Sequence, residues 1–519
     1  METQQQSWGQ PSALNTIILL VVSYIFIRAI YNIYFHPLSS IPGPRAWAAS
    51  RFPFIRSLLK GTIVHDIQEL HRQHGPILRI APNEVTFAQP EAWDDIFHPP
   101  QGQLLKDPLW WRRAPGSPMS LISAIEPEEH ARIRKALAPG FSSRALKSQE
   151  PIIQRYVNLL VNRLRETVQA NPSPGPSPLA EIDIGPWFNF TTFDIFGDLG
   201  FGESFECLQN SRLHPWIALL FNSVKAAAFI SATRFYPVIE YVLMKCVPPS
   251  LQKMKQDHYQ QIVDKVHRRL NYEMERPDIM SHVIGAGDDV GLSMDEINVT
   301  FMVLTTAGSE TTATVLSGTM NYLIQHPDKL LTLAAEVRGT FQSDDDSEMT
   351  LDALRNLAYL NAVLSEGLRL CTPIPWILPR LVPPKGSTIC GVALPGGTPV
   401  SIQAYAMNRD AAYFHRPDSF LPERWLQPQE KTDEKKEKSP FSGDRPEAMQ
   451  PFSLGARSCM GQHLAWAEMR LILAKLVWSF DFEAPGDKGR WLNWEHLRTF
   501  LLVEKRPIYV GLRLRRSDE

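Results

Sequence analysis

The ten residues Phe452–Gly461, FSLGARSCMG, constrain the fold of this chain more than any other stretch. One cysteine, Cys459, stands two residues after Arg457 in a glycine-flanked loop, and the following QHLAWAEMRLILAKLVWSF carries the apolar spacing of a buried helix. Gly455 and Gly461 permit tight turns and a close approach of backbone to a flat ligand. Cys459 is thereby expected at a helix N-terminus, where backbone N–H groups and the helix dipole lower a thiol's pKa. A buried structural cysteine is the plainer alternative, since free cysteine is among the most buried residue types. The pattern FxxGxRxCxG specifies five positions, and its chance occurrence in a chain this long is on the order of 1 in 10,000 at average residue usage.

That rarity favours a thiolate ligand over a structural cysteine. A thiolate held this way suits haem iron, because it pushes electron density toward O–O cleavage. Phe452 is placed to shield the sulfur and Arg457 to meet an anionic substituent. The five cysteines (Cys207, Cys246, Cys371, Cys390 and Cys459) are odd in number and widely spaced, without a CxxC pair. They support neither a disulfide framework nor a structural zinc site. A net charge of −2 over 519 residues gives no bulk attraction for nucleic acid.

The N-terminus reads as an uncleaved anchor. Residues 13–35 are mostly apolar, with Arg28 near one end, and a span needs about 20 such residues. A cleaved signal peptide is disfavoured, because residues 1–12 contain no Lys or Arg and no small-residue cleavage site follows. Arg45, Arg51, Arg56 and Lys60 lie downstream, and the positive-inside rule puts the bulk of the protein in the cytoplasm. The chain divides into a lumenal 1–12, a transmembrane 13–35, a proline-rich joint 36–50 and one large domain over 51–519.

That domain reads as mostly α with a small β region. Ile63–Gly75 has a helical pattern, and PILRIAPNEVTFA alternates like a hairpin with Pro82 and Asn83 at its turn. Helical patterns dominate from Glu128 to Arg338, interrupted by NPSPGPSP at 171–178, a flexible loop by composition. Short strands return between Pro379 and Ser401, and QEKTDEKKEKSPFSGD reads as a solvated insertion. Two formal glycosylation sequons, at Asn189 and Asn298, sit inside apolar patterns.

Three further motifs carry chemistry. Ser293-Met-Asp-Glu296 is a capping box that opens a helix to about Ile324, roughly 45 Å long. Midway stands TTAGSETT (305–312), a poor helix interior in which Ala307 and Thr311 share one face at i,i+4. It is either a tolerated polar turn or a groove where small residues admit a ligand, with a hydroxyl and a carboxylate for proton delivery. Glu366 and Arg369 stand one turn apart in EGLR, and FLPERW supplies Arg424 as a third member of a charge network. Buried, such a network must be complete to be tolerated.

Together these motifs resemble the cytochrome P-450 family over most of the chain. Phe452–Gly461 matches the family's haem loop, Glu366 and Arg369 its ExxR pair, Phe420–Trp425 its PERF segment and Ala307–Thr312 its oxygen-activation motif. His130 and Arg134 in EHARIRKAL, with Arg380 and Arg457, are similar to the family's haem-propionate contacts. The resemblance implies a cytochrome P-450 fold behind one N-terminal transmembrane helix, and haem b with Cys459 as the axial ligand of its iron. It also implies proton management by Thr311 and Glu310, and a scaffold held by Glu366, Arg369 and Arg424. The anchor and the absence of a fused flavin domain resemble microsomal enzymes of filamentous fungi, including isotrichodermin hydroxylase-like members. That implies an endoplasmic-reticulum membrane protein fed by NADPH through a separate NADPH–cytochrome P-450 reductase. The implied function is oxidation of a lipophilic small molecule in secondary metabolism, of polyketide or terpenoid class.

By the same resemblance the pocket walls are Trp110, Trp111, Phe301, Leu304, Trp376 to Leu378 and Thr499 to Leu501. Two other readings stay open on sequence alone. One is an oxygen-independent haem-thiolate isomerase or dehydratase. The other is a membrane-tethered haem sensor without turnover.

Overall fold

The computed structural model describes residues 13–99, 102–113, 116–170, 179–272, 278–285, 291–342, 348–426 and 439–515. Residues 1–12, the 171–178 loop and 427–438 of the charged insertion lie outside the described residues. The fold is mostly helical with small sheets, as the sequence leads one to expect.

Its axis is the helix Met294–Gln325, opened by the anticipated capping box: Ser293 Oγ accepts from Glu296 N at 3.2 Å, and Glu296 Oε2 from Ser293 N at 2.9 Å. From Thr312 to Ile324 every residue of this helix is buried. Five of its threonines, Thr305, Thr306, Thr311, Thr312 and Thr314, turn their hydroxyls back on their own helix, whereas those of Thr300 and Thr319 are buried without a partner among the described residues. Thr305 donates to Phe301 O at 2.7 Å, Thr311 to Ala307 O at 2.7 Å and Thr314 to Glu310 O at 2.8 Å. Satisfied in this way, a run of poor helix formers can cross the core.

Two close approaches explain glycines within the motifs. A Cβ at Gly367, inside EGLR, would lie 2.0 Å from Thr319 Oγ1, so the helix Ala358–Leu370 packs on the long helix only without a side chain there. A Cβ at Gly308 would lie 3.1 Å from the ring of Phe196, on the helix Gly185–Phe201. Gly308 therefore serves helix packing rather than ligand approach, and Ala307 is the small residue left exposed.

The five-stranded sheet runs in the order Ile77–Ala81, Glu84–Phe87, Pro399–Ile402, Ile377–Leu381, Leu105–Lys106. The expected hairpin is its first pair, and Glu84–Phe87 runs parallel to Pro399–Ile402. At the far edge Lys106 pairs directly with Arg380, so two cations stand side by side. A hairpin of Thr499–Phe500 and Leu502–Val503 turns at Leu501, with φ +66°, and is tied to the N-terminal region by Thr499 N donating to Gly61 O at 2.8 Å. The sequon residues Asn189 and Asn298 are buried, in keeping with their apolar surroundings.

Ahead of this body stands the apolar helix Ala13–Tyr34, long enough to cross a membrane and with its large apolar side chains exposed. Only its end touches the fold, where Asn32 Nδ2 donates to Ala49 O at 2.9 Å.

Candidate active site

The cysteine loop is shaped by two residues with left-handed backbone, Ser453 (φ +58°) and Gly455 (φ +76°). A Cβ on Gly455 would sit 2.7 Å from Phe97 O, so position 455 demands glycine on both counts. The loop closes where Cys459 N donates to Phe452 O at 2.8 Å, and the helix Gln462–Ser479 follows. Phe452 lies 6.4 Å from the Trp466 ring on that helix, a half-buried wall beside the cysteine. Cys459 is accessible from one side yet ringed by protein. Burial pushes its thiol up, and the opposing pull of the Gly461 N–H and of Arg134 does not prevail. A coordinating metal deprotonates a thiol outright.

Around the loop the fold assembles five basic side chains, four of them anticipated. Arg457 donates to Ala124 O at 2.6 Å and Ile125 O at 2.5 Å, and Arg134 to Ser458 O at 2.7 Å. His130 and Arg380 are buried, and Arg380 Nη1 has no partner. The fifth is Lys106, which sequence reasoning missed; it donates to Ile122 O and lies 4.1 Å from the Trp111 ring. Burial and mutual repulsion depress the group together: Lys106 falls to about 6, His130 to about 3 and Arg380 to about 9. Glu126 is a carboxylate that acts on Arg457. Five gathered basic side chains, with one flanking acid and an orphaned guanidinium N–H, form a receptor for a multiply charged anion, whose arrival would draw protons back onto His130 and Lys106. A haem with its two propionates fits that donor set, with Cys459 as the sulfur ligand.

On the long helix, Ala307 is exposed and Thr311 half-exposed amid buried neighbours, so this face borders an opening in the core. Glu310 lies off that face, 5% exposed, and its Oε2 meets Lys505 Nζ at 2.9 Å. Lys505 also donates to Asn189 Oδ1 at 3.0 Å. Burial pushes the Glu310 carboxyl up and the Lys505 ammonium down, and each is opposed by the charge of the other.

The charge network of the sequence is complete. Arg369 grips Glu366 through two contacts of 2.9 and 2.7 Å and donates to Asn408 O, Pro417 O and Ser419 O. Glu366 also accepts from Leu421 N (2.9 Å), Arg424 Nε (3.1 Å) and Trp425 Nε1 (2.9 Å). Burial raises the Glu366 carboxyl, but Arg369, Arg424 and the Leu421 N–H outweigh it and hold it below its ordinary value. Asp444, at the end of the presumed solvated insertion, is instead an almost fully buried partner of Arg424.

Of the expected pocket walls, Trp110, Trp111, Trp376, Leu378, Phe500 and Leu501 join one apolar cluster. Trp110 and Trp376 meet edge to face at 5.1 Å, and the indole N–H groups of all three tryptophans lack partners. Phe301 does not belong with them: it is fully buried against Phe201 at 5.8 Å and is core. Leu304 is half-buried.

Comparison with known proteins agrees with this geometry. The cytochrome P450 family profile matches residues 42–510, and the chain belongs to that family. It is 41% identical to cytochrome P450 monooxygenase lcsI of Purpureocillium lilacinum, over 95% of this chain and 93% of that protein. It is likewise 41% identical to averantin hydroxylase of Dothistroma septosporum, over 96% of this chain and 90% of that protein. Cytochrome P450 monooxygenase astA of Talaromyces wortmannii is 39% identical over 96% of this chain and 97% of its own length. These relatives are fungal secondary-metabolism monooxygenases, and the present chain is a monooxygenase of the same haem-iron family.

Proposed function

We propose that the protein hydroxylates a lipophilic secondary metabolite in a tailoring step, with Cys459 as the sulfur that would hold haem iron. The observation that carries this reading is the pairing of an accessible Cys459 with five convergent basic side chains beside it. When bound, the haem supplies the one-electron and O₂ chemistry of monooxygenation. The chain's residues hold, orient and protonate. Arg134, Arg380 and Arg457 would pair with the propionates and His130 and Lys106 would hydrogen-bond to them, together holding the ring. Phe452 excludes water from the sulfur side. Thr311, whose hydroxyl donates to Ala307 O, offers an acceptor oxygen at the opening and would pass on a proton on turning away from that carbonyl, with Glu310 as the reservoir that resupplies it. A relative named for hydroxylating averantin supports C–H hydroxylation as the reaction. The unpartnered indoles of Trp110, Trp111 and Trp376 suit an apolar substrate that carries hydrogen-bond acceptors.

Electrons would come from NADPH through NADPH–cytochrome P-450 reductase. Ala13–Tyr34 would anchor the protein in the endoplasmic reticulum membrane, with the catalytic domain over 51–519 on the cytoplasmic side. Deleting residues 1–36 should release the protein from membranes while haem loading persists, since the helix meets the body only at its end. A truncated protein that sediments with carbonate-washed membranes would show that the helix is not the sole anchor.

The test of the oxygen-dependent reading is product formed per NADPH consumed in a reconstituted system. Thr311→Ala should leave substrate affinity near wild type and lower this ratio by about 10-fold or more, as expected for loss of a preorganised polar group. Equal coupling in the two proteins would remove Thr311 from the mechanism. Product without NADPH would replace monooxygenation with isomerisation or dehydration.

A further inference from the structure

Gln403 follows the strand Pro399–Ile402 and is 1% exposed, yet neither its Oε1 nor its Nε2 has a hydrogen-bond partner among the described residues. Its backbone is satisfied, with Gln403 N donating to Phe87 O at 2.9 Å, so only the side chain is left over. A buried amide with both ends unpaired is a costly feature for a core to carry. Ile402 pairs with Ile377 across an antiparallel ladder, which sets Gln403 opposite Trp376, the residue before Ile377. Trp376 is 3% exposed, and its indole N–H is unpaired as well. Trp110, edge to face with it at 5.1 Å, adds another unpaired indole N–H. Elsewhere on this sheet the buried polar side chains satisfy one another: Ser401 Oγ donates to Thr86 Oγ1 at 2.9 Å, which donates to Ser401 O at 3.2 Å. The unpaired groups gather instead where the sheet meets an aromatic cluster. There Phe54 lies 5.9 Å from Trp376 and 6.4 Å from Trp110, and Phe235 lies 5.8 Å from Trp110, between ring centres. Ile374, two residues before Trp376, is 44% exposed among buried neighbours, so this segment reaches an opening in the core.

We propose that Gln403, Trp376 and Trp110 form a polar subsite that selects a flat aromatic substrate bearing several oxygens, of phenol and ring-carbonyl type. The two indole N–H groups and Gln403 Nε2 donate to its oxygens, and Gln403 Oε1 accepts from a phenolic hydroxyl. The surrounding rings offer edge-to-face contacts to a planar aromatic skeleton. A hydrocarbon-rich terpenoid carries too few oxygens to satisfy these groups. In the free protein they are held at a cost in stability that the ligand removes, a usual mark of a site kept for binding. The inference deepens the proposed function and rests on its reading of this cluster as the substrate wall.

Calorimetric titration of the haem-loaded protein tests this with three probes: flavone, a dihydroxyflavone whose hydroxyls are remote from the ring carbonyl, and the terpenoid alcohol farnesol. Wild type should bind the dihydroxyflavone about 10-fold or more tighter than flavone, and farnesol most weakly of the three. Gln403→Met removes the amide at similar volume, and Trp376→Phe removes the indole N–H while keeping a ring. Each should lower the preference for the dihydroxyflavone several-fold and leave flavone binding near wild type. Thermal melting is the second readout. Gln403→Met should melt at or above the wild-type temperature, because the amide has no partner in the free protein. A lower melting temperature would show that the amide serves the fold, through water, and would overturn the inference. So would equal binding of the two flavones, an unchanged preference in both variants, or tighter binding of farnesol. None of these readouts uses NADPH or product, so their failure leaves monooxygenation standing. Product formed without NADPH would instead overturn that reading, and the two failures are distinguishable.

Discussion

Replacing Glu366 by Ala is expected to cost about 3–5 kcal/mol, the range for removing one partner of a buried ion pair. The loss is large because Glu366 is the shared acceptor of four donors: Arg369, Arg424, the Leu421 N–H and the Trp425 indole. Without it, two guanidinium groups with side chains no more than 1% exposed lose their common counter-ion. A typical protein has only about 5–15 kcal/mol of stability in total, so this variant should yield little folded, haem-loaded material. Arg424→Ala should be milder than Arg369→Ala. Arg424 makes one contact to Glu366 and reaches Asp444 and His415 O, whereas Arg369 grips Glu366 twice and also pins the carbonyls of Asn408, Pro417 and Ser419. Urea unfolding followed by haem absorbance and by tryptophan fluorescence measures the order. Near-wild-type stability of Glu366→Ala would mean the network does not hold the scaffold.

Much of this fold was legible because its signals are local. The Ser293–Glu296 capping box, the hairpin around Pro82-Asn83 and the loop glycine at 455 each depend on neighbours a few residues away. The ExxR pair was legible for the same reason, as one helical turn. The rest depends on register and long-range packing. Lys106 is an unremarkable lysine in a two-residue strand until its pairing with Arg380 places it in the cation cluster. Asp444 stands at the end of a charged run that reads as solvent-facing, and only the fold brings it to Arg424. Lys505 and Asn189 carried no signal toward Glu310, and Asn189 reads in sequence as a formal glycosylation site. Phe301 was assigned to the pocket because apolar residues look alike in sequence whether they face a ligand or another helix; the Phe201 contact settles which.

The second large effect concerns Cys459. Substitution by Ala removes the one sulfur that stands accessible within the cation cluster; Cys207 and Cys371 are buried, with thiols held high by burial, Cys390 is half-buried in a hairpin turn, and Cys246 lies on the surface. The Cys459→Ala protein should fold, because the loop closes through the backbone contact of residue 459 to Phe452 O, which Ala retains. It should also still attract haem weakly through the five basic side chains, now without a sulfur ligand. The measurement is the absorption spectrum of the reduced, CO-bound protein. Wild type should show the long-wavelength Soret band of thiolate-ligated haem, and Cys459→Ala should lose it entirely. A Cys459→Ala protein that retains that band would place the ligand on another cysteine and contradict the assignment of this site.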